Sequence, residues 1–271
     1  MQNAIKTQRT YYIGAALLAL ITAILRTLSL TFAFDRASGY FTVGALPVLL
    51  RVIEGGSLLA LVLFPVLALR GHISPKRATH SPFITCGAGL CALLFFLNFI
   101  CGCTLKGTML PAMLWLVGLL AILLGVVYFI LQTPLVKAGA GTHAVLGSLT
   151  IVALACLIAF TYFDISTPMN APHKTDLHMA LLAAMLYFLY ELRAKADISR
   201  PLALTACGAI AFFLTAAVGL SDTVAYLTGA FTDPVYFAQD LLLLALAVYI
   251  GARAMADAAL FNNTDRKDQA V

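Results

Sequence analysis

Charge is what this chain has least of. Only 11% of its 271 residues are Asp, Glu, Lys or Arg, while 62% are hydrophobic, and mean hydropathy is +0.96. Soluble domains carry about 25% charged residues. Eight membrane spans of ~20 residues would take up ~160 positions and leave only short links. Composition therefore excludes a separate soluble domain and predicts a single integral membrane domain over residues 1–271.

The motifs of soluble chemistry are missing as well. There is no phosphate-binding G-x-x-x-x-G-K-[S/T], no G-x-G-x-x-G, no H-E-x-x-H and no G-x-S-x-G. No span carries the regularly spaced arginines of a voltage sensor. No lysine lies in a late span, which argues against a retinal-type Schiff base. The sequence thus designates no catalytic residue, no metal and no cofactor. The formal net charge of +5 does not point to nucleic acid, because Lys and Arg collect in the links on one side of a bilayer. The expected partner is the lipid bilayer itself; protein partners are not legible.

What is present is a repeated hairpin pattern. In the stretch 159–194 an apolar run ends at Phe163. A polar link with Pro168 and Pro172 follows, and a second run starts near Leu177 and ends at Glu191-Leu192-Arg193. Hydropathy gives eight spans, near 11–33, 48–69, 83–103, 109–131, 143–163, 177–192, 202–221 and 235–256. All are predicted helical, because backbone in lipid must satisfy its own hydrogen bonds. The fold class is an all-α, polytopic transmembrane helix bundle. Thr175 or Asp176 is expected to cap the short sixth helix.

Positive charge orients the bundle. With eight spans, Lys6, Arg9, Arg70, Lys76, Arg77, Lys137, Arg193, Lys195, Arg200, Arg253, Arg266 and Lys267 share one side. Arg36, Lys106 and Lys174 face the other. This split places both termini in the cytoplasm of a multi-pass cell-membrane protein. On that reading the sequon Asn262-Asn263-Thr264 is inert. The first run resembles a secretory signal, but its ~23 residues and its Arg26 fit an uncleaved anchor better.

A four-plus-four repeat is a candidate. Phe34-Asp35 with Ser38 ends the first span, and Phe163-Asp164 with Thr167 ends the fifth; Pro111 and Pro234 correspond roughly. Parallel repeats occur in transporters, although Asp and Ser/Thr commonly follow helix ends. All six cysteines (Cys86, Cys91, Cys101, Cys103, Cys156, Cys207) lie in apolar runs and read as small hydrophobes.

The candidate site is a set of intramembrane polar groups at one depth in the outer leaflet: Arg26, Arg51, Glu54, Asn98 and Asp240, with Trp115 in the same layer. Arg51 and Glu54 are spaced to meet on one helix face. Arg26 is expected to pair with Asp240 or share Glu54. The set reads either as an outward-facing pocket for a small polar ligand or as ion pairs that fix packing. Gly55-Gly56 would loosen the wall of a pocket. The inner half offers only mild groups such as Thr85, Ser148, Thr150 and Thr205, which argues against a charged path across the membrane.

A second set, Asp164, His173, Asp176 and His178, matches no metal-site spacing. The 164–176 link reads as a fixed turn, and the 221–234 link as an interfacial turn anchored by Tyr226 and Phe231. Tyr11, Tyr12, Tyr128, Tyr162, Tyr187, Tyr190, Tyr236 and Tyr249 lie toward span ends and read as an aromatic belt. Small residues of the seventh span, Ala203, Ala206, Gly208, Ala209 and Ala211, suit close packing.

At the two F-D links, and at Pro168-Met169-Asn170-Ala171-Pro172-His173-Lys174, the chain resembles uncharacterised multi-pass membrane proteins of Gram-positive bacteria. The resemblance implies no activity and transfers no site residue. Three functions compete. A non-transport component (sensor, assembly factor or scaffold) is slightly favoured. A small-molecule transporter or permease subunit comes next, and a lipid-active membrane enzyme last.

Overall fold

The structure is a computed structural model. It describes residues 2–35, 38–69, 81–104, 112–134, 139–164, 167–168, 170–196, 198, 200–230 and 232–268. Eight helices follow one another: α1 (Gln2–Phe32), α2 (Ala45–Ala68), α3 (Pro82–Thr104), α4 (Ala112–Leu131), α5 (Ala140–Tyr162), α6 (Pro172–Lys195), α7 (Pro201–Leu227) and α8 (Pro234–Asp268). Each contains a segment long and apolar enough to cross a membrane. The protein is an all-α, multi-pass membrane bundle. Its small sheet is a hairpin after α1, β1 (Phe34–Asp35) against β2 (Tyr40–Phe41), turned by Gly39 at φ 75°, a conformation that suits glycine.

Proline marks four helix starts. α3, α6, α7 and α8 each open on a proline, where the missing N–H is no loss and φ is already helical. This moves two expected boundaries. α6 begins at Pro172, so Thr175 and Asp176 lie inside it rather than capping it, and Ala171 occupies the N-cap position. At 24 residues it falls between its neighbours α5, with 23, and α7, with 27. α7 runs on to Leu227 and carries Asp222 and Tyr226 within the helix, where an interfacial turn was expected. Each extension carries charged residues, Lys174 and Asp176 in one and Asp222 in the other, and charge ends a span read by hydropathy.

α7 and α8 pack against each other at the centre. The chain α3–α4–α5–α6 forms an arc that closes on them, α3 against α8 and α6 against α7. α1 lies against α7 and α8, and α2 lies outside, on α1 and α7. The small face of α7 does what its composition suggests: Ala209 and Ala211 are fully buried, and Gly208 faces Tyr187 and Tyr12. The two halves of the chain are not packed alike, since α6 lies along α7 whereas α2 and α3 have no comparable contact.

Odd-numbered helices end, and even-numbered helices begin, at the end of the bundle away from the chain termini, termed here the distal end. Several expected features lie outside the described residues: Pro111, Phe231, Met169, the side chains of the sequon, and the link cations Arg36, Arg70, Lys76, Arg77, Lys106 and Lys137. The side chains of Lys6, Arg266 and Lys267 lie outside them too.

Candidate functional site

Near the distal end five helices converge on one guanidinium. Arg26, about two and a half turns beyond the middle of α1, is fully buried. Its Nε donates to Asp222 Oδ1 at 3.1 Å and its Nη2 to Asp222 Oδ2 at 3.0 Å. Its Nη1 bonds Asp176 on α6. Asp176 also accepts from Arg51 on α2, at 2.8 Å and 3.1 Å, and Arg51 Nη1 reaches Glu54 Oε2 at 2.6 Å. The chain of contacts Glu54–Arg51–Asp176–Arg26–Asp222 thus ties α2, α6, α1 and α7. One guanidinium can serve two carboxylates because its donors form a planar fork.

His173 and Asp240 extend the network toward α8. His173 Nδ1 lies 2.7 Å from Asp222 Oδ2, and its ring packs 4.9 Å from that of Tyr236. Asp240 is 1% exposed. One ligand atom from each of His173, Asp222 and Asp240 lies within 4.8 Å of the other two. Gly219, one turn before Asp222, makes this proximity possible. A Cβ there would stand 3.0 Å from the Asp240 carbonyl oxygen and 3.0 Å from the Leu244 nitrogen, so α7 and α8 touch backbone to backbone.

The expected pairing is corrected in one respect. Arg26, Arg51 and Glu54 do share a network, but Arg26 bonds Asp222 and Asp176 rather than Asp240 or Glu54. Asn98 is not part of it. Its Nδ2 donates to the carbonyls of Leu94 and Ala238, both at 2.8 Å, and holds α3 to α8. Trp115 donates to the Gly102 carbonyl at 3.1 Å. Gly55 and Gly56 are exposed, with open space where a Cβ would stand, so they admit no second backbone.

The second expected set divides. Asp176 and His173 join the network. Lys174 turns away and donates to the Asp164 carbonyl at 2.8 Å, and Tyr236 donates to Asp164 Oδ2 at 3.0 Å. These bonds fasten the α5–α6 link to α8. His178 Nε2 lies 2.7 Å from Thr161 Oγ1 on α5.

The opposite end holds a second charged network, against the expectation that the inner half has only mild polar groups. Glu191 on α6 is fully buried. It accepts from Tyr249 at 3.1 Å and pairs with Arg253 Nε at 3.2 Å and Lys195 Nζ at 3.7 Å. Gln132 Oε1 accepts from Lys195 at 2.9 Å and Arg253 at 3.3 Å. Read by hydropathy, Glu191 and Arg253 sit at span ends, but α6 and α8 continue past them. The expected mild groups turn inward on their own helices: Thr85, Ser148 and Thr150 each donate to a carbonyl four residues earlier.

The aromatic belt is also revised. Tyr11, Tyr12, Tyr128, Tyr187, Tyr236 and Tyr249 are buried, and most serve as polar links between helices. Tyr11, for example, donates to the Leu61 carbonyl at 2.7 Å. Tyr226 stacks on Phe237 at 4.0 Å. The six cysteines are free thiols.

Comparison with protein-family models, with curated proteins and with solved structures found no match. The reading of the site rests on its own geometry.

Proposed function

We propose that the chain is a multi-pass component of the cell membrane that does not conduct a substrate: a sensor, an assembly factor or a scaffold, with both termini cytoplasmic. One observation carries this. The two charged networks occupy opposite ends of the bundle, and among the described residues the layer between them holds no Asp, Glu, Lys or Arg, its buried polar groups being hydroxyls such as Thr22 and Thr215. On α6, Asp176 and Glu191 are about 22 Å apart at ~1.5 Å per residue. Leu177, Ala180, Leu181 and Ala184 fill the interval and are buried. Leu242, Leu243 and Leu246 do the same on α8. Phe95, Phe129, Phe188 and Tyr249 close the layer at the inner network, with ring centroids 5.2–6.1 Å apart along the contacts Phe95–Phe129–Tyr249–Phe188. A permeating polar solute would need a hydrated route through these side chains.

The second reading is a permease subunit open to the distal side. It is favoured by Arg51, whose side chain is 44% exposed while its partner Asp176 is 8% exposed, so one edge of the network faces outward. A lipid-active enzyme finds less support, since the Asp164–His178 set that it would use is divided. The resemblance to membrane proteins of Gram-positive bacteria fits either of the first two readings and names no activity.

The test needs no substrate. Single cysteines at Leu181, Phe213 and Leu246, in a background without native cysteines, are exposed to membrane-impermeant thiol reagents from each side. The proposal expects no modification from either side. Labelling of the same position from both sides in turn would establish alternating access and replace it with the permease reading.

A further inference from the structure

We infer that His173, Asp222 and Asp240 form a binding site for one divalent transition-metal ion of the zinc class, reached from the distal side. The inference is independent of whether the chain conducts a substrate. Three observations carry it.

The first is the donor set. One imidazole nitrogen and two carboxylate oxygens, each from a different helix, lie within 4.8 Å of one another, and all three residues are buried. Tetrahedral zinc with bonds of about 2.0–2.2 Å holds its ligand atoms about 3.4 Å apart. Small rotations of the side chains close that gap, and a water or an external donor would complete the shell. An imidazole among so few ligands suits zinc, cobalt or iron rather than calcium or magnesium, which favour all-oxygen shells.

The second is Asp240. Its Oδ1 is buried and accepts no hydrogen bond among the described residues. A buried carboxylate oxygen without a donor is costly, and a cation in the site supplies what it lacks. Asp222 stands opposite, held in place by both Arg26 contacts.

The third is charge. Arg26 and Arg51 face Glu54, Asp176, Asp222 and Asp240: two guanidiniums against four carboxylates. Carboxylates outnumber guanidiniums by two in this low-dielectric layer. One divalent cation balances that excess. Arg26 and the metal would then share Asp222, and Asp176 offsets the proximity of the two positive centres.

The experiment uses the full chain, purified without a histidine tag, stripped with a chelator, and titrated with Zn²⁺ by calorimetry and by thermal unfolding. Co²⁺ serves as an optical probe of coordination. The expected result is one equivalent per chain, a rise in Tm, and Co²⁺ absorption of a low-symmetry, four- or five-coordinate site. Asp240→Asn and His173→Gln should each weaken binding by about 10–100-fold or more, a range that loss of outer-shell partners alone can reach. Gly55→Ala, on an exposed face of α2 and outside the network, should bind as the wild type does. If Asp240→Asn does not fold, His173→Gln and the wild-type Co²⁺ spectrum decide. The inference is overturned by absence of saturable Zn²⁺ binding to the wild type. It is equally overturned by binding that survives both ligand substitutions, or by a response to Mg²⁺ or Ca²⁺ alone.

Discussion

Arg26 and Asp222, 196 positions apart in sequence, form a two-pronged pair, Nε to Oδ1 at 3.1 Å and Nη2 to Oδ2 at 3.0 Å, with both side chains fully buried. The pair joins the first helix to the seventh and makes the distal network a long-range tie. The third contact of Arg26, to Asp176, brings in α6. Removing the guanidinium would take both its bonds from Asp222 and leave Asp176 with Arg51 as its one guanidinium partner.

Arg26→Met should therefore lower unfolding stability by about 3–5 kcal/mol, the cost of breaking a buried pair in soluble proteins. Arg26→Lys keeps the charge but not the fork and should lose less. Arg51→Met should cost less than Arg26→Met, because the Arg51 side chain is 44% exposed and solvent screens its pairs. Denaturation in detergent or mixed micelles measures the order. Equal stability of Arg26→Met and wild type would remove the network from the forces that hold the bundle.

Two glycines make a second, opposed pair. A Cβ on Gly219 would press on the Asp240 carbonyl oxygen and on Leu243 Cβ, each at 3.0 Å. Gly219→Ala should push α7 away from α8 and destabilise by about 1–3 kcal/mol, as overpacking does; Gly219→Val should do more. A Cβ on Gly55 meets nothing within 4 Å, so Gly55→Ala should be neutral or stabilising by up to about 1 kcal/mol through helix propensity. Thermal unfolding of the variants side by side gives the sign of each, and a stabilising Gly219→Ala would show that the helices are not in backbone contact.

The span count and the all-α fold were legible because a run of ~20 apolar residues is a long signal. Depth was legible too: Arg26, Arg51 and Glu54 share a level, and they share a network. Rotation about the helix axis was not. Asn98 and Asp240 lie at the same depth, yet Asn98 turns to the Ala238 carbonyl and Asp240 is not bonded to Arg26. Polar helix ends were the other loss. Pro172-His173-Lys174-Thr175-Asp176 and Ser221-Asp222-Thr223 read as links by hydropathy, although each is helix. The sign that could have found the first is Pro172 itself, a proline in the place where helices begin. Glu191 and Arg253 were hidden for the same reason, since charge near a span end looks interfacial until the helix is seen to continue.

The charge split of the links predicts which end faces outward. Setting aside Arg253 and Lys174, which are buried helix residues, leaves the bias toward the terminal end intact. On a cysteine-free background, cysteines at Asn170 and Thr228, both exposed at the distal end, should react with impermeant reagents added outside intact cells. Cysteines at Thr79 and Ser199 should react only after permeabilisation. The reverse pattern would invert the topology and with it the side from which the distal network is reached.

The network at the terminal end of the bundle offers the sharpest test of whether charge there is structural. Glu191 is the acid to which Arg253, Lys195 and the Tyr249 hydroxyl all turn. Glu191→Gln keeps the shape and removes the charge of the carboxylate that Arg253, 5% exposed, meets at 3.2 Å. The expected loss is about 3–5 kcal/mol by analogy with buried pairs in soluble proteins. Arg253→Met alone leaves Glu191 with Lys195 as its cation at 3.7 Å and should cost a similar amount. If the two charges act on each other, Glu191→Gln with Arg253→Met should be less damaging than the sum of the single changes, with a coupling of about 0.5–3 kcal/mol. Gly87→Ala supplies an independent disturbance from outside the charges, because its Cβ would stand 2.9 Å from the Tyr249 Cα and so shift α8 at the network. It should lower stability without changing the sign of the Glu191–Arg253 coupling. Strictly additive losses in the double variant would mean that Glu191 and Arg253 act separately, each through its neighbours Tyr249, Lys195 and Gln132.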